Sequence, residues 1–262
     1  MASQRTRESP MALNKLYPLT LPLYSLIHPG RIFQILVPSG RGWKVVKPFK
    51  QSSLHIPTLN ESLLGNKRDY GEKMKEKYTL KNFIDIEKGD TVVDVGAFVG
   101  GFSRGCNGIA KRILAIEPVQ SNVECLKKNV DVDIAECAVW NKNTMINLYL
   151  GDPQDHSIFD NSQGGRVVIS GNVKVQARRL DSLCKQYGYE DIDFLKLEAE
   201  GAEPESLEGL GKLRPPKISV SCGAEREEEN TLPTVQKLLT EMGYETQLET
   251  NMVYGRYKEV KK

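Results

Sequence analysis

Thr91-Val-Val-Asp-Val-Gly-Ala-Phe-Val-Gly-Gly-Phe-Ser103 reads as a buried strand that runs directly into a glycine-rich turn and then a helix. Valine and threonine favour the extended form, and a run of them without polar alternation marks a strand covered on both faces. Gly96 lets the chain turn tightly, while Gly100 and Gly101 leave room for a ligand or a neighbouring strand to approach the backbone. The free N–H groups at the start of the helix can then receive an anionic or polar ligand group.

Glu117 lies twenty-one residues after Gly96, at the end of the next expected strand, where a carboxylate can accept hydrogen bonds from both hydroxyls of a ribose. That spacing suits any adenosine-containing cofactor, a nicotinamide dinucleotide included, and a turn that merely packs is the plainer reading of the glycines. Asp94 separates the alternatives. A carboxylate in a valine strand is costly to bury without a partner. The ammonium group of S-adenosylmethionine supplies one, directly or through water, whereas a pyrophosphate at that position would be repelled.

Outward from this stretch, short apolar runs alternate with longer amphipathic segments, the pattern of a mostly parallel sheet. Strands are expected at 91–95, 112–117, 134–138, 194–198 and 217–221, and helices at 98–109, 121–130, 180–187, 204–210 and 232–242. The alternation at both ends of 145–178 predicts an antiparallel excursion. A further helix is expected over 61–83, weakened by Gly65 and Gly71. Residues 1–60 read as a basic, proline-rich extension and 61–262 as the cofactor-binding domain.

Composition sets outer limits. With 39% hydrophobic and 27% charged residues, the chain belongs with soluble globular proteins. Residues 1–50 carry eight Lys or Arg against a single acidic residue, Glu8, so the remaining chain has an acidic excess of five. That acidic body argues against a surface built to grip nucleic acid. The apolar stretch 13–26 is interrupted by Pro18 and Pro22, so neither a membrane span nor a secretory signal is expected, and the location is read as cytoplasmic. The five cysteines form no C-x-x-C pair, which points to reduced core residues rather than disulfides or zinc ligands. No compact His/Asp/Glu spacing suggests a metal.

A second constellation is Asp193-Phe-Leu-Lys-Leu-Glu-Ala-Glu-Gly-Ala-Glu-Pro-Glu205. In a strand Lys196, Glu198 and Glu200 share one face, which gathers charge at the carboxyl end, where open α/β sheets bind ligands. Pro204 fits the first position of a helix, with Glu203 read equally as its cap or as a site residue.

Taken in order, Val93-Asp-Val-Gly-Ala-Phe-Val-Gly-Gly-Phe-Ser103, Ala115-Ile-Glu-Pro118, Cys137-Ala-Val139, Arg179-Leu-Asp-Ser-Leu183 and Leu195-Lys-Leu-Glu-Ala-Glu-Gly-Ala-Glu203 resemble the FkbM family of methyltransferases. The resemblance implies a class I methyltransferase Rossmann-like α/β fold, with helices on both faces of a mostly parallel sheet. It also implies S-adenosylmethionine as cofactor and O-methylation of sugar or other small-molecule hydroxyls. Carried over by position, Asp94, Gly96 and Gly100 line the methionine end, Glu117 the ribose, and Glu136, Cys137 and Ala138 the adenine, with Ala97 and Pro118 among the cofactor-binding residues. Lys196, Glu200 and Glu203 fall near the substrate pocket. This chain has Glu198-Ala199 where the family has Asp-Val, and Ser219-Val-Ser-Cys-Gly223 where an acidic residue and a histidine are expected.

The sulfonium already carries a reactive methyl group, so the protein has mainly to align an acceptor and remove its proton. Glu200 is the first candidate base and Glu198 the second. His156, in the loop Gly151-Asp-Pro-Gln-Asp-His-Ser157, is a third candidate, set against the plainer reading of a solvated loop histidine. In the extension, Leu16, Leu19, Leu23, Ile27 and Trp43 can pack on the domain or on a second copy of the chain. Interleaved with Arg31, Arg41, Lys44 and Lys47, they can instead form a peripheral membrane contact. An RNA methyltransferase, a non-catalytic S-adenosylmethionine-binding protein and an NAD-dependent oxidoreductase are the competing functions.

Overall fold

The computed structural model describes residues 35–39, 42–47, 52–56, 70–149, 172–223 and 230–258. The chain divides into two compact units, Met1–Asp69 and Tyr70–Lys262. In the first, strands β1 (Ile35–Ser39), β2 (Gly42–Lys47) and β3 (Ser52–Ile56) form an antiparallel meander.

The second unit opens with α1 (Tyr70–Tyr78); of the helix expected over 61–83, residues 61–69 lie outside the described residues, and 79–83 are not helical because Asn82 is left-handed (φ 65°) and Leu80 bridges to Ile84. Then follow β4 (Thr91–Val95), α2 (Gly101–Cys106), β5 (Arg112–Ile116), α3 (Gln120–Asn129) and β6 (Asp133–Ala135). A second, three-stranded sheet holds β7 (Ala138–Val139), β8 (Thr144–Tyr149) and β9 (Asn172–Arg178), with β8 and β9 antiparallel as the alternation predicts. The chain continues through α4 (Leu180–Tyr187), β10 (Phe194–Leu197), α5 (Glu203–Glu208), β11 (Lys217–Ser221) and α6 (Leu232–Glu241). It finishes with the hairpin β12 (Tyr244–Glu249) and β13 (Met252–Tyr257).

The main sheet has seven strands in the order β12-β13-β11-β10-β4-β5-β6. Five run parallel; β13 pairs antiparallel with both β11 and β12. β4 lies at the centre, with β5 on one side and β10 on the other, so the winding direction reverses between β4 and β10. The carboxyl ends of those strands therefore open onto a crevice flanked by loops that lead in opposite directions. This is a Rossmann-like α/β arrangement, a mostly parallel sheet with helices on both faces, as the family resemblance implies.

Alternating side chains give the central strands β4, β5, β10 and β11 two buried faces. Val93, Leu114, Leu195 and Val220 pack with Leu183 of α4, Leu207 of α5 and Val235 of α6. Val92, Ile113 and Phe194 pack on the opposite face with Tyr78 of α1 and Phe102 of α2. Each such side chain stabilises the fold by ~1.5–3 kcal/mol, and together they fix the crevice between two rigid layers. Helices α1 and α2 touch backbone to backbone: a Cβ on Gly105 would stand 2.3 Å from the Gly71 carbonyl oxygen. Gly71, a weak point in isolation, is thus what lets α1 dock.

Three differences from the expected elements have local causes. The helix expected from residue 98 starts only at Gly101, because Phe98 (φ 52°) and Gly100 (φ 87°) are left-handed. The strand expected over 134–138 breaks after Ala135, and Ala138 pairs with β9 in the other sheet. The β12–β13 hairpin was not anticipated, since β12 is a mostly exposed Tyr-Glu-Thr-Gln-Leu-Glu edge strand with no apolar alternation to read.

Candidate active site

Asp94 is 0% exposed at the carboxyl half of β4, and the strand register sets Lys196 of β10 directly beside it. The partner that burial demands is supplied from within the chain. Asp94 Oδ2 accepts hydrogen bonds from the Ser103 hydroxyl at 2.7 Å and the Ser103 N–H at 3.2 Å. The Lys196 ammonium stands 3.2 Å from Asp94 Oδ1, but it is aimed at the carbonyl oxygens of Val95 (3.0 Å) and Gly96 (2.6 Å), to which it donates. Oδ1 is therefore a buried acceptor with no hydrogen-bond donor aligned on it among the described residues.

Gly96 is left-handed (φ 70°), and a Cβ there would lie 1.9 Å from the Glu198 carbonyl oxygen. No other residue fits. At Gly100 and Gly101 the space is taken by packing: added Cβ atoms would meet Leu126 Cδ1 at 2.6 Å and Tyr70 Cε1 at 2.3 Å. The sequence left a ligand or a strand as the close neighbour of these two glycines; the structure puts a side chain of α3 and Tyr70 there. The N–H groups of Gly96 and Ala97 both donate to the Ile116 carbonyl.

Glu117, 5% exposed, ties the glycine turn to α3. Its Oε2 accepts from the Phe98 N–H (2.9 Å), and its Oε1 from the Val119 N–H (3.0 Å) and Asn122 Nδ2 (3.1 Å). Burial pushes its pKa up, against those three bonds and the Lys196 charge. Pro118 directly follows. Beyond β6, exposed Glu136 pairs with Lys127, Cys137 is buried with its thiol pushed up to about 11, and Ala138 is buried in β7.

Glu198 lies just beyond β10 with its side chain 30% exposed. Its Oε1 accepts from Lys77 Nζ at 2.7 Å, its Oε2 accepts a short hydrogen bond from the Tyr78 hydroxyl, and Lys196 Nζ is 3.8 Å away. Burial disfavours the anion, but the Lys196 and Lys77 charges and the hydrogen bonds outweigh it and hold the carboxyl at about 2. Burial, followed by the adjacent Glu198, pushes the Tyr78 phenol well above its usual range, so it stays a donor. Tyr254 OH anchors the end of α1 through the Lys77 carbonyl at 2.9 Å, and Phe102 stacks edge-on against Tyr78.

Because β10 ends at Leu197, Glu200 does not continue the strand face with Lys196 and Glu198. It is half-buried in a turn with φ 49°. Glu203 lies beneath that turn, and burial pushes its pKa up to about 7 against hydrogen bonds from its own amide, the Gly201 and Ala199 amides and the Thr231 hydroxyl.

The structure thus brings Asp94, Gly96, Lys196 and Glu198 into one cluster, with Glu117 joined to it through the glycine turn and Glu200 and Glu203 at its edge. Glu136 is turned to Lys127, and His156 lies outside the described residues. Lys77, Tyr78, Asn122 and Thr231 were not foreseen, and Ser103, although inside the quoted stretch, was not given a role. Only Ser103 carries a usable signal: nine residues after Asp94, it sits in the first turn of the helix that follows the strand.

The residues present fit a cofactor that carries a cation and a vicinal diol. Glu198 presents a partly exposed carboxylate held as the anion, Glu117 uses three of roughly four lone-pair sites, and Gly96 keeps the turn free of a side chain. Among the described residues no group of three or more His, Cys, Asp or Glu is placed to hold a metal, and no helix is long and apolar enough to cross a membrane.

The methyltransferase FkbM domain model matches residues 94–246. No curated protein matches the chain. Among solved structures, methyltransferase FkbM from Methylobacillus flagellatus KT is 16% identical with a TM-score of 0.48, covering 72% of this chain and 48% of its own. This chain therefore spans about half of that protein. The precorrin-6y C5,15-methyltransferase of Geobacter metallireducens GS-15 is 14% identical with a TM-score of 0.42, covering 72% and 87%. A SAM-dependent methyltransferase from Aquifex aeolicus is 16% identical with a TM-score of 0.39, covering 72% and 89%. The family model spans more than half of the chain, from the buried Asp94 to the start of the last hairpin, and on that match the chain belongs to the FkbM methyltransferase family.

Proposed function

We propose that this chain methylates a hydroxyl group on a sugar, a glycan or another small molecule, with Glu200 as the proton acceptor. The observation that carries this reading is the contrast between Glu198 and Glu200. Glu198 is committed to two ammonium groups and a phenol and is held at about 2, far below what a base at neutral pH needs. Glu200, two residues on, is off the strand face, half-buried in a left-handed turn. Uncommon backbone conformations of this kind gather at functional sites.

S-adenosylmethionine, when bound, supplies the activated methyl group. Glu117 would hold its ribose with the lone pair left over from the glycine turn, and Glu198 would face its cationic end. Asp94 acts at one remove, fixing Ser103 and Lys196 and through them the Gly96 turn. Glu200 accepts a hydrogen bond from the acceptor hydroxyl and takes its proton. The acidic balance outside residues 1–50 favours a neutral acceptor over a polyanion such as RNA.

The test is transfer of labelled methyl from S-adenosylmethionine to a panel of methyl glycosides of hexoses, 6-deoxyhexoses and pentoses, with total RNA as a parallel acceptor. Label is expected in a glycoside and is expected to fall by about 10²-fold or more in E200Q. Label in RNA alone, or full transfer by E200Q, would contradict the reading.

A further inference from the structure

Glu203 is 1% exposed yet carries a carboxylate, and beyond its own amide the hydrogen bonds it accepts come from outside the helix it begins. Oε1 accepts from the Ala199 N–H at 3.0 Å and the Gly201 N–H at 3.1 Å, the two amides on either side of Glu200. Oε2 accepts from the Thr231 hydroxyl at 2.9 Å. Thr231 in turn precedes α6: its N–H donates to the Gly223 carbonyl at 3.2 Å, and its own carbonyl accepts from the Val235 N–H at 2.9 Å. One carboxylate therefore spans three segments, the loop after β10, the start of α5 and the start of α6.

A helix cap would spend these lone pairs on amides of its own first turn. Here two of the bonds run backward to the loop and the third crosses to a residue 28 positions later. The loop they hold contains Glu200 at φ 49°, a conformation uncommon for a residue with a Cβ. We propose that Glu203 is a positioning residue: it holds Glu200 in its left-handed turn and ties that turn to α6, so that presenting Glu200 and docking α6 are one event. The proposal rests on the reading of Glu200 as the proton acceptor.

E203Q and E203A separate this role from a direct one. Glutamine keeps a carbonyl oxygen for the Ala199 and Gly201 amides and offers its NH2 to the Thr231 hydroxyl; alanine offers nothing. Amide hydrogen exchange at Gly201, read on the protein without substrate, is expected to quicken by about tenfold or more in E203A and to stay near the wild-type rate in E203Q. With the glycoside acceptor, kcat is expected to fall by about 30-fold in E203A with the KM for S-adenosylmethionine within about threefold, and E203Q is expected to restore it.

T231V, which cuts only the link to α6, is expected to lower kcat by about fivefold in a folded protein, and it carries the comparison with E203Q if E203A does not fold. Faster Gly201 exchange in E203A without loss of kcat, E203Q as damaged as E203A, or T231V with wild-type kcat would each overturn the proposal. E200Q is expected to lose turnover while Gly201 exchange stays slow. Normal turnover in E200Q would remove the proton-acceptor reading and would leave the exchange result standing, so the two failures are distinguishable.

Discussion

Lys196 faces Asp94 across adjacent parallel strands, its ammonium 3.2 Å from the Asp94 carboxylate while it donates to the carbonyls of Val95 and Gly96. The pair is buried between the adjacent strands β4 and β10, where each charge offsets the desolvation of the other. Lys196→Met leaves Asp94 without its counter-charge and is expected to destabilise the protein by ~3–5 kcal/mol in urea unfolding, with partial recovery when Asp94→Asn is added. A loss no larger in K196M than in a surface lysine variant would show that the ion pair is not coupled.

Gly96→Ala forces a Cβ to within 1.9 Å of the Glu198 carbonyl at φ 70°, and backbone cannot move aside cheaply. The expected cost is ~3 kcal/mol or more. Gly108→Ala is the control: it is also left-handed (φ 81°), but its Cβ would meet nothing within 4 Å, so it is expected to lose only ~1 kcal/mol. Thermal unfolding of the two variants side by side checks the contrast.

Tyr78→Phe removes the hydroxyl that donates to Glu198 and is expected to cost ~1–2 kcal/mol. Glu198 is an acid whose folded pKa, about 2, lies below its unfolded value. Its contribution is therefore present above the unfolded pKa and is lost as pH falls through about 2. In acid titrations followed by circular dichroism, E198Q is expected to differ most from the wild type above pH ~4.5 and to converge with it in stronger acid.

Glu203 has the opposite sign. Its folded pKa is raised to about 7, so the folded protein holds the proton more tightly than the unfolded chain. The stabilising contribution is complete below the unfolded value and disappears as pH rises through about 7. E203Q is expected to gain stability relative to the wild type between pH ~5 and ~8. A flat difference across that window would mean Glu203 titrates normally.

Strands β4 and β11 and helix α4 were legible residue for residue, because apolar runs and clean amphipathic turns leave the chain little choice. The sites were legible where chemistry sits on strand ends: Asp94, Glu117, Lys196 and Glu198 stand out as charges inside apolar segments. What they touch was not. Lys77 and Tyr78 reach Glu198 from 121 and 120 residues away, and nothing local in Lys-Glu-Lys-Tyr distinguishes a clamp from a solvated helix face. Glu203 was balanced between cap and site because its sequence neighbours cannot reveal Thr231.

Calorimetric titration with S-adenosylhomocysteine and NAD, on the wild type and on Glu117→Ala and Glu198→Ala, tests the cofactor assignment most directly. The expected result is S-adenosylhomocysteine binding that weakens by about tenfold or more in each variant, with no heat from NAD. NAD binding, or S-adenosylhomocysteine binding indifferent to both variants, would contradict it.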